Sequence, residues 1–288
     1  MSEKKQLTLR RKKRRVIAGG ISLLLTLDLY MWGFSLKTEN YVLKSDKLEN
    51  GLKIVFISDL HNCIYGGPEQ TQLIREIEKA EPDLVLFGGD VVDQYGGTDN
   101  ALTVMKYTAE KYPCCYAEGN HEQSRDDLGS FVSQVRSLGI NVLEGDCAEY
   151  EIDGQRVNVL GMTDIYAKKP KSTKYKTQLD SCIEKVNPDS YNILLLHQPE
   201  GIGSVTGHGF DLILSGHAHA GQWRLPFVLE QGTYAPDQGI FPDRTNGLFN
   251  ENGTVQIISR GLAIPMRMCV IPRIFNRPEL TVIEINAT

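Results

Sequence analysis

The sequence lacks the cysteine patterns typical of metal fingers and redox motifs. None of its six cysteines form a C-x-x-C pair. Cys114 and Cys115 are adjacent, so in a strand they would point to opposite faces of a sheet. These spacings exclude a zinc finger and an iron–sulfur cluster and favour core or surface thiols, although disulfides stay open for a domain outside the cytoplasm. The cysteines are Cys63, Cys114, Cys115, Cys147, Cys182 and Cys269.

Basic residues are scarce outside the first 15 positions. That segment holds eight of the 31 basic residues and one of the 36 acidic residues, which leaves 23 basic against 35 acidic residues in the body. Duplex nucleic acid is bound through Lys and Arg contacts to phosphate, so an acidic body disfavours a nucleic-acid partner and a nuclease. The sequence also contains no internal repeat and no low-complexity linker, which predicts a single folded domain after the amino-terminal segment.

The amino terminus has the pattern of a membrane anchor. A basic cluster in residues 1–15 precedes an apolar stretch over residues 16–36, which is long enough to span a bilayer as a helix. The positive-inside rule places the basic end in the cytoplasm and the body outside it, as a single-pass membrane protein. Asp28 within the stretch argues against this interpretation, and a twin-arginine export signal or a buried helix of a soluble protein remain alternatives.

The body has the pattern of an α/β protein. From Leu52 onward, short apolar runs alternate with amphipathic stretches. We predict a linker and first strand region over residues 37–50 and a catalytic domain over residues 51–288. The predicted strands are Leu52–Ser58, Leu84–Phe87, Cys114–Glu118, Val157–Gly161, Ile193–Leu196, Leu212–Leu214, Thr254–Ile258 and Leu280–Ile285, the predicted helices are Pro68–Ala80, Ala101–Lys111 and Leu128–Leu138, and a hairpin over Cys147–Gly161 turns at Asp153 and Gly154.

Polar side chains with metal-binding chemistry follow five of these apolar runs. Ligands in open α/β sheets bind at the carboxyl ends of the strands, so five such strand ends predict one common site. Five of the six histidines belong to these clusters; only His208, which we interpret as a structural loop residue, lies outside them. The candidate metal ligands are Asp59, His61, Asp90, Asn120, His197, His217 and His219.

This ligand set predicts two metal ions. Carboxylate, amide and imidazole ligands without a thiolate suit Mn, Fe or Zn. Seven ligands exceed what one ion takes from a protein, whereas two ions that share a bridging carboxylate use the whole set. Asp90 is the expected bridge, because its strand is central in the expected order. Such a pair of ions polarises phosphoryl oxygens and activates water, which predicts a hydrolase of phosphate esters.

Two further residues have the properties of catalytic groups. His121 follows Asn120 directly and is the candidate proton donor to the leaving oxygen, and Asp93 is placed to orient and charge that imidazole. A metal-binding scaffold without turnover is the alternative from another class. It has no need of a proton donor, so His121 and Asp93 argue against it.

Five sequence blocks resemble the motif series of the calcineurin-like metallophosphoesterases. The blocks occur in the order of that family, and the resemblance covers about Leu52 to Ile285. It implies a four-layer α/β/β/α sandwich of two mixed sheets with flanking helices. The blocks are Ser58-Asp59-Leu60-His61, Gly89-Asp90-Val91-Val92-Asp93, Gly119-Asn120-His121-Glu122, His197 and Gly216-His217-Ala218-His219.

The resemblance also implies how the ligands are divided and what His121 does. One ion would be held by Asp59, His61, Asp90 and His219, and the other by Asp90, Asn120, His197 and His217, with His121 as the catalytic histidine. Residues 216–222, 235–239 and 277–279 further resemble the bacterial membrane-anchored branch, which includes phosphodiesterase-like proteins and relatives of enzymes that cleave UDP-diacylglucosamine.

The segment Gln222–Asn252 is the expected site of substrate selection. It combines glycine, proline and aromatic residues with few regular patterns, and a long loop beside a site is often functional, although a rigid structural lid is the alternative. Together with the apolar anchor it favours a phosphate ester at or near the membrane surface. The sequence leaves open the physiological substrate, monoester or diester specificity and the oligomeric state.

Overall fold

A computed structural model describes residues 3–163, 172–264 and 273–288. Within residues 1–32, it describes the side chains of residues 12–27 and 32 only. Two six-stranded sheets form the body of the protein. The first sheet consists of β1 (Lys37–Ser45), β2 (Leu52–Ile57), β3 (Leu84–Gly88), β4 (Cys114–Ala117), β5 (Asn141–Val142) and β14 (Glu279–Ala287). The second consists of β6 (Asp146–Ile152), β7 (Gln155–Gly161), β8 (Tyr191–Leu195), β9 (Leu212–Ser215), β12 (Gly247–Glu251) and β13 (Thr254–Ile258). A two-stranded ribbon of β10 (Tyr234–Ala235) and β11 (Gly239–Ile240) lies outside both.

Both sheets are mixed. The first has the order β1-β14-β2-β3-β4-β5, in which only β14 and β2 are antiparallel, so the expected central position of β3 is confirmed. The second has the order β12-β13-β9-β8-β7-β6, with antiparallel pairs at its two edges. The parallel inner strands are mostly apolar, because both of their faces are buried; the polar exceptions in β8 and β9 are Asn192 and Ser215.

The sheets pack face to face between two layers of helices. One apolar cluster joins the sheets, with Phe56 and Leu86 of the first against Ile193 and Leu214 of the second. A second cluster lies under three helices on the outside of the first sheet, and a third lies under two helices on the outside of the second. The helices are α2 (Thr71–Ala80), α3 (Asp99–Ala109) and α4 (Leu128–Ser137) on the first sheet, and α5 (Thr173–Glu184) and α6 (Ile202–Val205) on the second.

The expected α/β/β/α sandwich is therefore confirmed as two mixed sheets flanked by helices. The predicted hairpin is also present, since β6 and β7 pair antiparallel and Asp153 and Gly154 both have positive φ in the turn. The stretch predicted as linker and first strand region contributes β1, which pairs with β14 at the edge of the first sheet.

The amino terminus forms a single helix, α1 (Glu3–Trp32). The transmembrane helix predicted over residues 16–36 is not confirmed: among the described residues, no helix has both the length and the apolar character needed to cross a membrane. The helix also ends before the predicted boundary. Leu36 is buried in the domain core, and the carbonyls of Ser35 and Leu36 accept hydrogen bonds from Arg277, so this end of the segment belongs to the folded body.

The described cysteines show no redox or metal-binding arrangement. Cys114, Cys115 and Cys182 are buried in the apolar clusters, and burial raises the pKa of the Cys182 thiol to about 12. This agrees with their interpretation as core thiols. Cys269 lies outside the described residues.

Candidate metal centre

Five strand ends converge at one edge of the sandwich. The turns after β2 and β3 are joined by backbone hydrogen bonds, from Asp59 N to the Gly89 carbonyl at 3.0 Å and from His61 N to the Asp90 carbonyl at 2.9 Å. The turn after β4 joins them where His121 N donates to Asp90 Oδ1 at 2.9 Å. Because the inner strands of each sheet run parallel, their carboxyl ends bring these turns together.

Most candidate ligands sit on a left-handed backbone. Positive φ is uncommon for residues other than glycine and is concentrated at functional sites, where the surrounding structure holds the conformation in place. Each such residue costs about 1–2 kcal/mol. These backbone positions therefore lower the stability of the fold, and in return they direct the ligand side chains toward one site. The residues are Asp59 (φ 51°), His61 (47°), Asp90 (51°), His217 (66°) and His219 (46°).

One group of ligand atoms surrounds Asp59. The ligand atoms of Asp59, His61 and His219 all lie within 4.8 Å of one another, and all three side chains are buried. Asp59 Oδ1 lies 3.6 Å from His219 Nε2. Asp59 also accepts a hydrogen bond from the backbone N–H of His217 at 2.9 Å, which fixes the carboxylate between the two sheets. This arrangement could hold one metal ion.

A second group surrounds Asp90. The ligand atoms of Asp90, His197 and His217 lie within 4.8 Å of one another. Asp90 Oδ2 is 3.2 Å from His197 Nε2 and 3.8 Å from His61 Nε2, so this carboxylate faces both groups. Burial opposes its ionisation, but the surrounding imidazoles, with His197 first, hold the pKa of Asp90 well below its usual range. Asp90 is therefore placed as the bridge between two metal positions.

Two buried ligand atoms lack a polar partner that a metal ion would supply. His61 Nε2 and Asn120 Oδ1 are inaccessible to solvent and have no hydrogen-bond partner among the described residues. A buried polar atom without a partner costs about 1–3 kcal/mol, and a cation is one partner that would satisfy both of these lone pairs. The donor set of carboxylates, imidazoles and one amide oxygen fits Mn, Fe or Zn.

Contacts outside the ligand set fix the imidazole rings. His197 Nδ1 lies 2.7 Å from the Gly88 carbonyl, and His61 Nδ1 lies 3.1 Å from Asp93 Oδ1. In both rings the Nδ1 contact leaves Nε2 directed at Asp90. A carbonyl or carboxylate on the far nitrogen is the usual device for setting the tautomer of a metal-binding histidine.

Asp93 also contacts His121, the imidazole that it is predicted to orient. His121 Nδ1 lies 2.9 Å from Asp93 Oδ1, and the rings of His121 and His61 meet edge to face at 4.6 Å. Burial lowers the pKa of His121, but contact with Asp93 and the charge of Asp90 outweigh it, so the pKa is raised. His121 is 22% exposed, in contrast to His61. A protonated, accessible imidazole at this position can donate a proton to a bound ester.

Glu122 holds two of the ligand turns together. The sequence showed only that this residue is part of a motif. Its buried carboxylate accepts hydrogen bonds from the backbone N–H groups of Asp90, Val92 and Gly119 at 2.8–3.0 Å. Burial, followed by the charge of Asp90, raises the pKa of Glu122 to about 7. The side chain thus joins the turns that carry Asp90 and Asn120.

Two glycines of the sequence motifs are required because neighbouring atoms occupy the space that a Cβ would need. A Cβ on Gly119 would lie 2.5 Å from Asp90 N, and a Cβ on Gly216 would overlap Ser58 and Asp59. Neither contact can be relieved without moving a candidate ligand. Any larger residue at position 119 would therefore displace Asp90.

His219 is held by the segment that precedes β14. Asn276 Nδ2 donates to the His219 carbonyl at 2.7 Å, and the Arg273 guanidinium lies 3.2 Å from His219 Nδ1. Burial and then the positive charge of Arg273 lower the pKa of His219 well below its usual value. The imidazole is thus kept neutral, which is the form that binds metals. No pattern in the sequence pointed to Arg273 or Asn276.

The structure thus brings six of the seven predicted ligands together in two groups joined by Asp90, which are Asp59, His61 and His219, and Asp90, His197 and His217. Asn120 lies in the turn after β4, and Asp93 contacts both His61 and His121. For these six residues the grouping is compatible with the division implied by the family resemblance, and the assignment of each ligand, including Asn120, to one ion stays a prediction. His121 also lies within reach of Asp90, with Nε2 3.9 Å from Oδ2, and it could therefore join a ligand group as well as act as a proton donor.

The family of the chain follows from comparison with known proteins. The family model described as calcineurin-like phosphoesterase matches residues 52–221, which is more than half of the chain and contains all seven candidate ligands. The chain therefore belongs to the calcineurin-like phosphoesterase family, a family of metallophosphoesterases. The resemblance seen in the sequence is confirmed at this level.

Three relatives illustrate its neighbours in that family. An uncharacterized metallophosphoesterase of Helicobacter pylori strain J99 is 31% identical over 77% of this chain and 58% of that protein. The metallophosphoesterase YkuE of Bacillus subtilis is 25% identical over 90% of this chain and 88% of that protein. A Bos taurus transmembrane protein with a metallophosphoesterase domain is 28% identical over 60% of this chain and 41% of that protein.

The chain spans little more than half the length of the Helicobacter pylori relative that it matches. The family assignment rests on the match of the family model to residues 52–221. The membrane-anchored branch, the identity of the metals and the preferred ester stay predictions.

Proposed function

We propose that this chain hydrolyses phosphate esters at a dinuclear metal centre. The observation that carries the proposal is the position of Asp90, whose carboxylate faces two separate groups of buried ligand atoms. The proposed ligands are Asp59, His61, Asp90, Asn120, His197, His217 and His219.

When bound, two such ions would polarise the phosphoryl group and lower the pKa of water for attack. The residues of the chain supply the remaining functions. His121 donates a proton to the leaving oxygen, since it is partly exposed and its raised pKa favours the protonated ring. Asp93 positions His121 and His61 together, so the proton donor and one ligand share a single support.

Hydrolysis assays on metal-stripped and reconstituted protein test this proposal. We expect no turnover after chelation and recovery with Mn²⁺, and a comparison of bis(p-nitrophenyl) phosphate with p-nitrophenyl phosphate separates diesterase from monoesterase activity. Metal content measured by mass spectrometry should reach two ions per chain. Two bound ions without turnover of either ester would instead support the scaffold alternative.

We further propose that the chain acts at a membrane surface, as a single-pass protein with its body outside the cytoplasm. The basic cluster in the first half of α1 supports this orientation, and the described apolar side chains of α1, including Val16 and Leu23, are exposed. A transmembrane relative in the same family is consistent with the proposal.

The substrate loop, residues 222–252, supports the same location. Its side chains Phe227, Ile240 and Phe241 are 94%, 74% and 64% exposed. Exposed aromatic and aliphatic side chains at a loop tip are typical of surfaces that enter the membrane interface.

One segment, residues 273–277, connects this loop, the helix and the metal centre. Ile274 pairs with Trp223 at the start of the substrate loop, and the ring of Phe275 meets Trp32 at the end of α1 at 5.8 Å. Asn276 holds His219. Helix α1, the substrate loop and the candidate ligands therefore lie along one continuous chain of contacts.

Membrane binding by the loop can be separated from binding by the helix. In a chain without residues 1–32, which keeps the contacts of Ser35 and Leu36 with Arg277, we expect sedimentation with vesicles of zwitterionic lipid, which do not repel the acidic body. Phe227→Ser with Phe241→Ser should weaken this binding by about tenfold or more, because each buried aromatic side chain contributes about 1.5–3 kcal/mol. The matched control is Val42→Ser, which changes an exposed apolar side chain of β1. Unchanged binding of the double variant would contradict the role of the loop.

A further inference from the structure

His217 is held through the opposite ring nitrogen from its neighbours. His61 and His197 are both contacted at Nδ1 and present Nε2 to Asp90. In His217, by contrast, Nε2 is the engaged atom, and it lies 3.0 Å from a carboxylate oxygen of Asp237. Nδ1 is thus the nitrogen left to face the group formed with Asp90 and His197.

Asp237 reaches His217 from the substrate loop. It lies in the turn between β10 and β11 and has a left-handed backbone with φ of 60°. Aspartate accepts this conformation more readily than most residues. Ala235, at the start of the turn, is fully buried and fixes the ribbon to the body of the protein.

The next residue secures the turn on both sides. The Gln238 amide donates to Glu200 and to the Arg244 carbonyl, and its oxygen accepts a hydrogen bond from Arg244 N at 3.1 Å. Glu200 follows His197 closely in the chain and is half-buried. The carboxylate of Asp237 is therefore held in place by a neighbour that is anchored beside the metal centre, while its own side chain stays 40% exposed.

We propose that Asp237 is a positioning residue for the metal centre, which fixes His217 so that its Nδ1 binds the ion held with Asp90 and His197. The inference rests on the proposed function, in which His217 is a metal ligand. A carboxylate that accepts the proton of Nε2 selects the Nδ1 lone pair for the metal and increases the basicity of the ring. It also makes the substrate loop part of the support of the metal centre.

Metal titrations of the full-length chain in detergent test this proposal without relying on turnover. Stripped protein is dialysed against buffers of increasing free Mn²⁺, and bound metal is counted. We expect Asp237→Ala to raise the dissociation constant of one of the two ions by about 10–100-fold, as is typical when a carboxylate behind a metal-binding histidine is removed. Asp237→Asn keeps an oxygen acceptor for Nε2–H and should have a smaller effect.

Two comparisons make the result specific to His217. Asp243→Ala removes an exposed carboxylate from the same loop and should leave both dissociation constants at the wild-type values. In a double-mutant cycle, adding Asp237→Ala to His217→Ala should weaken the affected ion no further, because the two residues act through one contact. In the Co²⁺-substituted protein, Asp237→Ala should change the visible absorption of one of the two ions and leave that of the other unchanged.

The outcomes distinguish this inference from the proposed function. If the wild-type chain binds fewer than two ions, the proposed function fails first. If it binds two, and Asp237→Ala titrates like the wild type or weakens binding equally in the His217→Ala background, the positioning role of Asp237 is overturned.

Discussion

Asp90→Asn should abolish metal-dependent hydrolysis, with kcat/KM for bis(p-nitrophenyl) phosphate falling by about a thousandfold or more. The side chain lies 3.2 Å from His197 and 3.8 Å from His61, so it faces both metal positions at once. Its low pKa keeps it charged. An asparagine is neutral and offers only one oxygen, so it cannot bridge two cations. Loss of several kcal/mol of electrostatic stabilisation corresponds to a rate loss of this size.

The fold of this variant should persist, because Asp90 Oδ1 accepts the backbone N–H of His121 and an asparagine oxygen can do the same. Circular dichroism and metal counting should therefore show a folded chain with fewer than two ions. Asp126→Asn, which neutralises an exposed carboxylate, is the matched control and should retain both ions and full activity. If Asp90→Asn binds two ions and turns over like the wild type, Asp90 is not a bridging ligand.

The sequence was sufficient to predict which residues gather at the site. Polar side chains at the carboxyl ends of parallel strands gather at one edge of a sheet, so the position of Asp90 after β3 in the first sheet and of His197 after β8 in the second follows from the order of apolar runs. The boundaries of the early strands and helices were close for the same reason, as hydrophobic periodicity marks them directly.

Other parts of the fold left no periodic signal. α5 was not predicted, because its buried face includes the polar residue Gln178. The Gln178 amide is buried because it exchanges hydrogen bonds with Thr163. Gln178 therefore interrupts the apolar periodicity that would predict a helix. β12 was missed because its exposed and half-buried residues alternate at a sheet edge within an irregular loop.

The supporting residues of the metal centre were also beyond prediction. Asp237 and Arg273 reach the site from loops, and their positions depend on turns such as the one secured by Gln238. The left-handed backbone of His217 and Asp90 was equally hidden, since neither residue type specifies positive φ. Such features depend on tertiary contacts, and neither local propensity nor spacing contains them.

His121→Ala should preserve both metal ions and lower kcat by about 10²–10⁴-fold, the usual contribution of general acid catalysis. His121 contacts Asp93 and is partly exposed toward the site, whereas the carboxylates and the other imidazoles of the centre remain intact in the variant. Metal counting and steady-state kinetics at saturating Mn²⁺ check the two parts of this prediction. Loss of an ion together with activity would make His121 a ligand.

A comparison of substrates with different leaving groups distinguishes proton donation by His121 from stabilisation of charge. A p-nitrophenolate leaves readily without protonation, so His121→Ala should cost least on p-nitrophenyl esters and most on an alkyl phosphate ester, whose leaving alkoxide needs the proton. A charge stabiliser would give similar losses on both substrates.

The pH profile provides an independent check through Asp93. Burial lowers the pKa of His121 and the Asp93 carboxylate raises it, with a net increase. A proton donor must be protonated, so activity falls as pH rises through this pKa. Asp93→Asn removes the carboxylate that favours the imidazolium, and the alkaline limb of kcat/KM should therefore move to lower pH. His121→Ala should lack that limb altogether. An alkaline limb that keeps its position in Asp93→Asn and persists in His121→Ala would show that another group supplies the proton.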